Sequence, residues 1–334
     1  MGTLCHVGPA KARILVEALE AGALDTTAPA ERDDHLEPDE LPHPIDDPLE
    51  GAEELVARAV ARSAERDAAA TPAERVVHLP SDQPIAIVHV GDPHIDDDGC
   101  DWVRLAADLD VIRRTPGMYG GLLGDVTNNW VGRLERLYAH QETTAEQAVL
   151  MWGWLLRRVP WAYALMGNHD LWNRGEHLMR LWCQTAAVRV AVAARHEARV
   201  VLRAPCGAEL RIRARHDFRG GSQWNPAHAL TKAARLDGGW GDVYVAGHRH
   251  TAVAVHDWTD SGRGVWALRA AGYKRHDDHA AALQLAEMPA GLASVTTVWD
   301  PSAPVHDRVE VFWSAARAAE RLTQLRGRAA LRTP

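Results

Sequence analysis

Five short stretches of this chain carry side chains suited to holding a metal ion. In Gly91-Asp92-Pro93-His94 the aspartate and histidine stand two apart. On extended chain both point to the same side, so one carboxylate oxygen and one imidazole can reach a single ion. Asp125 follows Gly124, and Asn168, His169 and Asp170 follow Gly167. Asparagine offers a neutral oxygen ligand, and histidine can give or take a proton. His216 and Asp217 form the fourth stretch. In the fifth, Gly247-His248-Arg249-His250, two imidazoles at i and i+2 can reach adjacent ions. Nitrogen and oxygen donors without a thiolate suit Mn²⁺, Fe, Zn²⁺ or Ni²⁺ more than a soft metal. Singly these signals are weak. An Asp-x-His or Gly-Asp is more often a turn than a ligand, and a lone histidine is most often an ordinary hydrogen-bonded residue.

Each stretch follows an apolar run that reads as a strand. These are Ile85–Val90, Gly120–Leu123, Trp161–Met166, Leu210–Arg215 and Asp242–Ala246. Ligands at strand ends are held firmly while the loop beyond stays open to substrate. Val200–Ala204 and Leu210–Arg215 form a hairpin pattern, and Thr251–His256 with Gly264–Arg269 a second antiparallel pair. A helix is expected from about Ala145 to Arg158, with Thr143 and Glu146 at capping-box spacing, and an amphipathic one over Phe312–Arg326. From about Pro84 on, strands and helices alternate, which is the texture of a layered α/β domain.

In this order the five motifs closely resemble the signature of the calcineurin-like metallophosphoesterase superfamily, over about residues 84–275. More narrowly, Asp92–Trp102 followed by Gly124–Leu134 is similar to metallophosphoesterases of bacteriophages and prophages. The resemblance implies an α/β, four-layer metallophosphoesterase sandwich, two packed mixed β-sheets flanked by helices, with a small helical N-terminal extension. It implies two divalent metal ions, Mn²⁺ foremost. Asp92, His94, Asp125 and His250 would hold the first, and Asp125, Asn168, His216 and His248 the second, with Asp125 bridging. His169 would sit at the leaving-group oxygen, oriented by an acidic neighbour such as Asp170. The implied reaction is in-line attack of a metal-bridging hydroxide between ions roughly 3.5–4 Å apart. Arg133, Arg174, Arg249 and Asn128 are the candidates for contact with the substrate phosphate.

The chain has 334 residues, 46% hydrophobic and 25% charged, and a formal charge of −8. Between Glu31 and Glu54 eleven acidic residues face one arginine, so that stretch carries −10 and the remainder +2. The overall acidity therefore says little about the main body, and a nucleic-acid substrate is neither supported nor excluded by it. Residues 26–50 combine five prolines with most of this acid and read as a linker. Helical patterns at 10–21 and 51–69 flank it, as a helical arm or a vestigial helix-turn-helix. We thus expect an extension over 1–75, a catalytic domain over 84–315 and a C-terminal helix and tail over 312–334. No apolar run reaches the roughly 18 residues of a membrane span, and the start of the chain lacks a signal-peptide pattern. Cys5, Cys100, Cys183 and Cys206 form no Cys-x-x-Cys pair, so a reducing cytoplasm is the expected home.

Protein serine/threonine phosphatases of this superfamily carry Gly-Asp-x-x-Asp-Arg-Gly. Here Gly124-Asp125 is followed by Val126, Thr127, Asn128, Asn129 and Trp130, without that arginine. The departure favours a phosphodiesterase acting on DNA, RNA or nucleotides. A broad-specificity phosphomonoesterase and a metal-binding regulatory module are the alternatives. Asn128, Asn129 and Trp130 could line a pocket for a base or sugar, with Trp130 as a stacking surface or a core residue.

Overall fold

The central strands are runs of apolar residues buried on both faces, which is what a sheet covered on both sides demands. In the computed structural model, which describes residues 51–69, 74–172, 175–185, 187–222, 224–275 and 292–330, twelve strands are described. The elements begin with α1 (Ala52–Ala69), β1 (Glu74–His78), β2 (Ile85–Val90), α2 (Trp102–Arg114) and β3 (Met118–Leu122). A 3-10 helix (Gly132–His140) precedes α3 (Ala145–Arg158), β4 (Trp161–Leu165), the single turn α4 (Asn168–Leu171) and α5 (Gly175–Cys183). Then come β5 (Ala193–Ala194), β6 (Glu197–Arg203), β7 (Glu209–Arg215), α6 (His228–Leu236) and β8 (Val243–Ala246). The order closes with β9 (Val253–Trp258), β10 (Gly264–Arg269), β11 (Ser294–Trp299), β12 (Val309–Phe312) and α7 (Ala315–Ala330).

The strands form two six-stranded sheets, ordered β12-β11-β2-β3-β4-β5 and β1-β6-β7-β8-β10-β9. In the first, β2, β3, β4 and β5 run parallel, while β11 and β12 are antiparallel. In the second, β7, β8 and β10 are parallel, and β6–β7 and β9–β10 are the two expected antiparallel pairs. Alternate residues of β2 serve two cores. Ile85 and Ile87 face Val200, Ile212 and Val245 of the opposite sheet. Ala86, Val88 and Val90 face Leu105, Leu109, Trp152 and Leu322 on α2, α3 and α7. On the outer side of the second sheet, Leu230 of α6 packs on Tyr244 and Ala267. Helices, sheet, sheet and helix thus make four layers, as the sequence led us to expect.

Three boundaries differ from the expectation. Strand β1 lies ahead of residue 84, in parallel register with β6 from Glu74↔Arg199 to His78↔Arg203, so the domain begins earlier. Helix α7 buries Ala318, Leu322 and Leu325 in the first core and is part of the domain, not an appendage. The capping box of α3 uses Thr144 and Gln147 in place of Thr143 and Glu146, because the first helical residue is Ala145 and Gln147 is its third.

The chain divides between Asp67 and Ala68 into two units. In the first, helix α1 carries Glu53 and Glu54 in its first turn, an Arg58–Glu54 ion pair one turn on, and exposed Leu55, Val56 and Val60. The expected helix at 10–21 and the acidic linker at 26–50 lie outside the described residues. Among the described residues no helix is long and apolar enough to cross a membrane.

Two substitutions on α2 test the layer assignment against each other. Leu109 is fully buried, and Leu109→Ala should cost about 2–5 kcal/mol in urea unfolding. Val103 on the same helix is 85% exposed, so Val103→Ala should stay within about 0.5 kcal/mol. Equal losses would mean that α2 does not present this face to the sheet.

Candidate metal centre

The carboxyl ends of β2, β3 and β4 lie side by side in one sheet, and those of β7 and β8 in the other. The residues following these ends meet across the sandwich. The His248 amide donates to Asp92 Oδ2 at 2.6 Å, and His216 Nδ1 donates to the Leu123 carbonyl at 2.8 Å. The loops after β2 and β3 are stitched together by His94 N to Asp125 O and Ile95 N to Val126 O.

All seven expected ligands come together here. Ligand atoms of Asp92, His94 and His250 lie within 4.8 Å of one another, and so do those of Asp125, His216 and His248. A third overlapping group, His94, Asp125 and His169, links the first two. Asn168 joins through its Oδ1, 3.0 Å from His216 Nε2. Asp125 stands between the groups: Oδ2 lies 3.2 Å from His216 Nε2, while Oδ1 accepts the His169 amide at 2.8 Å.

Six residues other than glycine have positive φ among those described, and five are these ligands: Asp92 (43°), His94 (40°), Asp125 (51°), His248 (68°) and His250 (47°). The left-handed region costs an L-residue of this kind about 1–3 kcal/mol. Strain repeated at five candidate ligands marks a site that dictates its backbone. Glycines make the approach possible. A Cβ at Gly167 would sit 2.0 Å from Asp125 Oδ1, and one at Gly247 would sit 2.4 Å from Asp92 Oδ2.

The donor set fits divalent cations. Asp92 Oδ1 and His94 Nδ1 are buried and have no hydrogen-bond partner among the described residues. Buried polar atoms are seldom left so unless something else binds them. Asp92, His94 and Asp125 are at most 3% exposed, and the supply of nitrogen and carboxylate oxygen is that of Mn²⁺, Fe, Zn²⁺ or Ni²⁺ sites.

The proton affinities are displaced in opposite directions. Burial, joined by the Asp125 charge, raises Asp92 to about 7. Burial also raises Asp125, but the hydrogen bond and charge of His216 outweigh it and hold that carboxyl below its usual range. Burial lowers His216, yet the Asp125 hydrogen bond and the charges of Asp125 and Asp92 push it up to about 10. Burial, with the nearby Lys274 charge, lowers His250 to about 4, and burial likewise lowers His94, His169 and His248.

His169 donates from Nδ1 to the Asn128 carbonyl at 2.6 Å, leaving Nε2 for the site. Its ring lies 4.3 Å from that of Trp172 and 5.4 Å from that of Trp130. The expectation that Asp170 orients it is corrected. Asp170 is fully buried, and its two oxygens accept the amides of Val126 (2.9 Å) and Gly167 (2.8 Å), tying β3's loop to β4's.

The expected phosphate-binding residues separate. Asn128 is fully buried and its amide donates to Asp97 (2.6 Å) and Gln141 (3.2 Å), so it braces the loop instead of meeting substrate. Asn129 donates to the carbonyls of His169 and Trp172, which removes it from a base pocket. Trp130 is half-buried, with its indole N–H on Gln141. Arg249 is exposed beside the ligands and doubly bonded to Asp217 Oδ2 at 3.1 Å. Arg133 is exposed on the 3-10 helix, and Arg174 lies outside the described residues. Two cations were not foreseen. Arg269, 1% exposed, reaches Asp217 Oδ1 (3.0 Å) and the Gly247 carbonyl (2.5 Å). Lys274, 7% exposed, lies 2.8 Å from Asp97. Both belong to β10 or the turn after it, beside β8, and only the sheet order reveals that neighbourhood.

No family model matches the chain, and no curated protein matches it in sequence. Among solved structures it is similar to a conserved uncharacterised protein of Streptococcus pneumoniae, titled a predicted phosphoesterase: 11% identity, TM-score 0.33, 69% of this chain and 97% of the other. It is also similar to Vacuolar Protein Sorting 29 of Cryptosporidium parvum: 15% identity, TM-score 0.32, 69% and 96%. A protein of unknown function from Aquifex aeolicus shows 14% identity and TM-score 0.28 over 50% and 80%. At such scores the architecture rests on this chain's own topology.

The His216–Asp125 pair sets the pH dependence of metal uptake. A histidine raised to about 10 is protonated at neutral pH, and a cation must displace that proton. Affinity should therefore rise with pH between 6 and 8, with protons released in titration calorimetry run in two buffers of different ionisation enthalpy. In chelator-treated protein His216 adds stability that is complete below about 6.5 and lost as pH rises through about 10, while Asp125, held below its usual range, adds stability present above about 3.8 and lost as pH falls. Uptake that is indifferent to pH would contradict this arrangement. Gly167→Ala should also weaken metal binding, because Asp125 Oδ1 would have to move; unchanged metal content and affinity would argue against the crowding.

Proposed function

We propose that this chain is a divalent-metal-dependent phosphoesterase, and within that class a phosphodiesterase acting on nucleic acid or nucleotides. The observation that carries the reading is the meeting of Asp92, His94, Asp125, Asn168, His216, His248 and His250 at five strand ends, with His169 beside them. Asp92, His94, Asp125 and His250 would hold one ion, and Asp125, Asn168, His216 and His248 a second, with manganese the first metal to try. Bound there, divalent ions would supply Lewis acidity toward phosphoryl oxygens and a water of lowered pKa.

The rest of the work falls to the chain itself. Asp125 belongs to the His216–His248 group and, with His94 and His169, to the group that links it to the Asp92–His94–His250 group, so it would set their spacing. His216 is aimed by the Leu123 carbonyl, which leaves Nε2 toward Asp125. His169 is aimed by the Asn128 carbonyl, which leaves Nε2 for a proton at the leaving oxygen. Its pKa is lowered by burial, so its charged, proton-donating form belongs to acidic pH. A general-acid contribution from it therefore falls as pH rises.

Preference for diesters follows from the stretch after Asp125. Where the protein phosphatases carry Asp-Arg-Gly, this chain has Asn128-Asn129-Trp130, and both asparagine amides are bonded to neighbouring segments, at Asp97 and at the His169 carbonyl. A second negative charge on a monoester thus finds no arginine from this loop. The similarity to phage and prophage enzymes, and a cytoplasmic setting, belong to the same reading.

Purified full-length protein with Mn²⁺ should hydrolyse bis-p-nitrophenyl phosphate faster than p-nitrophenyl phosphate, and should cut single- or double-stranded DNA. Hydrolysis of none of these, with metal shown to be bound, would leave the metal-binding regulatory module standing. Monoester turnover dominating would leave the phosphomonoesterase. Asp125→Asn should lower turnover by more than the roughly 10–100-fold that loss of an outer-shell partner costs. Retained activity would remove Asp125 from the bridging position.

A further inference from the structure

The peptide joining Gly247 to His248 is held at both of its polar atoms. Its N–H, on His248, donates to Asp92 Oδ2 at 2.6 Å, and its carbonyl, on Gly247, accepts from Arg269 Nη1 at 2.5 Å. The same Arg269 nitrogen donates to Asp217 Oδ1 at 3.0 Å. Asp217 follows His216 and Gly247 precedes His248, so one guanidinium ties together the two loops that carry those imidazoles. The strand register puts it there: Ala246 pairs with Arg269 on one side and with Arg215 on the other. The ring nitrogens His216 Nε2 and His248 Nδ1 end 3.1 Å apart. His248 is exposed and has a φ of 68°, so its place depends on the peptide behind it and not on packing or relaxed backbone.

A buried guanidinium is a costly way to build this corner. Arg269 is 1% exposed, and its Nε is buried with no hydrogen-bond partner among the described residues. Val265 and Ala267, on the same face of β10, belong to an apolar cluster. An apolar side chain at 269 would continue that face, and exchanging a buried ion pair for apolar groups is often neutral or stabilising. What the arginine supplies is therefore position more than stability. We propose that Arg269 is the positioning residue of the Asp125–Asn168–His216–His248 group. By pinning the Gly247 carbonyl and Asp217, it holds His248 in its left-handed conformation beside His216, where both can serve one divalent ion. Arg249, half-exposed and bonded to the other oxygen of Asp217, steadies that carboxylate from outside. The inference rests on the metal-centre reading that underlies the proposed activity, but its test does not require turnover.

The probe is Mn²⁺, titrated into chelator-treated full-length protein and followed by calorimetry and electron paramagnetic resonance. The wild type should take up two ions, the second bringing the exchange-coupled signal of a manganese pair. Arg269→Met should weaken the second ion about 10–100-fold, the scale for loss of an outer-shell partner, and reduce the coupled signal at two equivalents. The first ion should change less. Asp217 keeps Arg249 in that variant, so no carboxylate is stranded. Arg269→Gln, polar where methionine is apolar, should give the same result and guards against misfolding of either variant alone. A purely structural role would lower the melting temperature and leave the ion binding of the folded protein untouched. Two ions bound with wild-type affinity and a full coupled signal in either folded variant overturn the assignment, as does a wild type that takes up fewer than two. A wild type that binds two ions, loses the second without Arg269 and hydrolyses no phosphate ester overturns the proposed activity and leaves the role of Arg269 intact.

Discussion

The burial of Asp125 is the constraint on which the site depends. It is 2% exposed, and an ionised carboxylate taken so far from water costs several kcal/mol unless it is paired. The chain brings it His216, the His169 amide and the two ligand groups. His216 follows β7 of one sheet and His169 follows β4 of the other, so both sheets must be in place before the carboxylate is satisfied. The fold is thus arranged around a point where charge has to be neutralised from several sides. The left-handed backbone at five ligands and the glycines that let Gly167 and Gly247 touch carboxylate oxygens are local consequences of that convergence.

The same constraint explains why the proton affinities split. Two buried carboxylates, Asp92 and Asp125, cannot both be charged cheaply while one histidine stands between them. The chain alone resolves this by protonating His216 and raising Asp92. That arrangement is a stand-in for a stronger positive charge. His94 and His250, lowered by burial, are already neutral and present lone pairs at pH 7. A divalent ion bound there would therefore replace the His216 proton, so metal binding would be a proton exchange and not a simple addition.

Much of this was legible in the sequence because ligands at strand ends announce themselves twice, as polar residues and as the termination of an apolar run. That double signal marked the five stretches and with them the parallel strands β2, β3, β4 and β8, while the ligand roles of Asp92, His94, Asp125, Asn168, His216, His248 and His250 came from the resemblance to the metallophosphoesterase signature. Strands β1, β11 and β12 were not legible. Each is defined by a partner far away in the chain, as Ser294–Trp299 is by pairing with β2. The roles of Asp170, Asn128 and Asn129 were misjudged for a related reason. A short polar side chain near a site either meets substrate or satisfies backbone, and the choice depends on which amides and carbonyls the fold brings near. Here the fold brings the amides of Val126 and Gly167 to Asp170, and the carbonyls of His169 and Trp172 to Asn129.

Those bracing residues give the site an asymmetry. Toward the interior it is closed: Asp92, His94 and Asn128 are buried, and Asp96, 1% exposed, accepts the Asn128 amide at 2.7 Å. Toward the surface His248 and Arg249 are exposed, and Asn168, His169 and His250 are half-buried. Among the described residues, the open side of the cluster is the His248 side. His169, Trp130 and Trp172 line one flank of the cluster. An aromatic wall beside a histidine aimed by a backbone carbonyl suits a leaving group with a flat or apolar portion, since stacking against it is favourable without any demand for a particular hydrogen-bond pattern. Specificity in such a site comes from the shape of that wall and from where the nearest fixed charge stands. On the proposed reading, the candidate metal ligands would impose only that a phosphoryl oxygen arrive at a defined point.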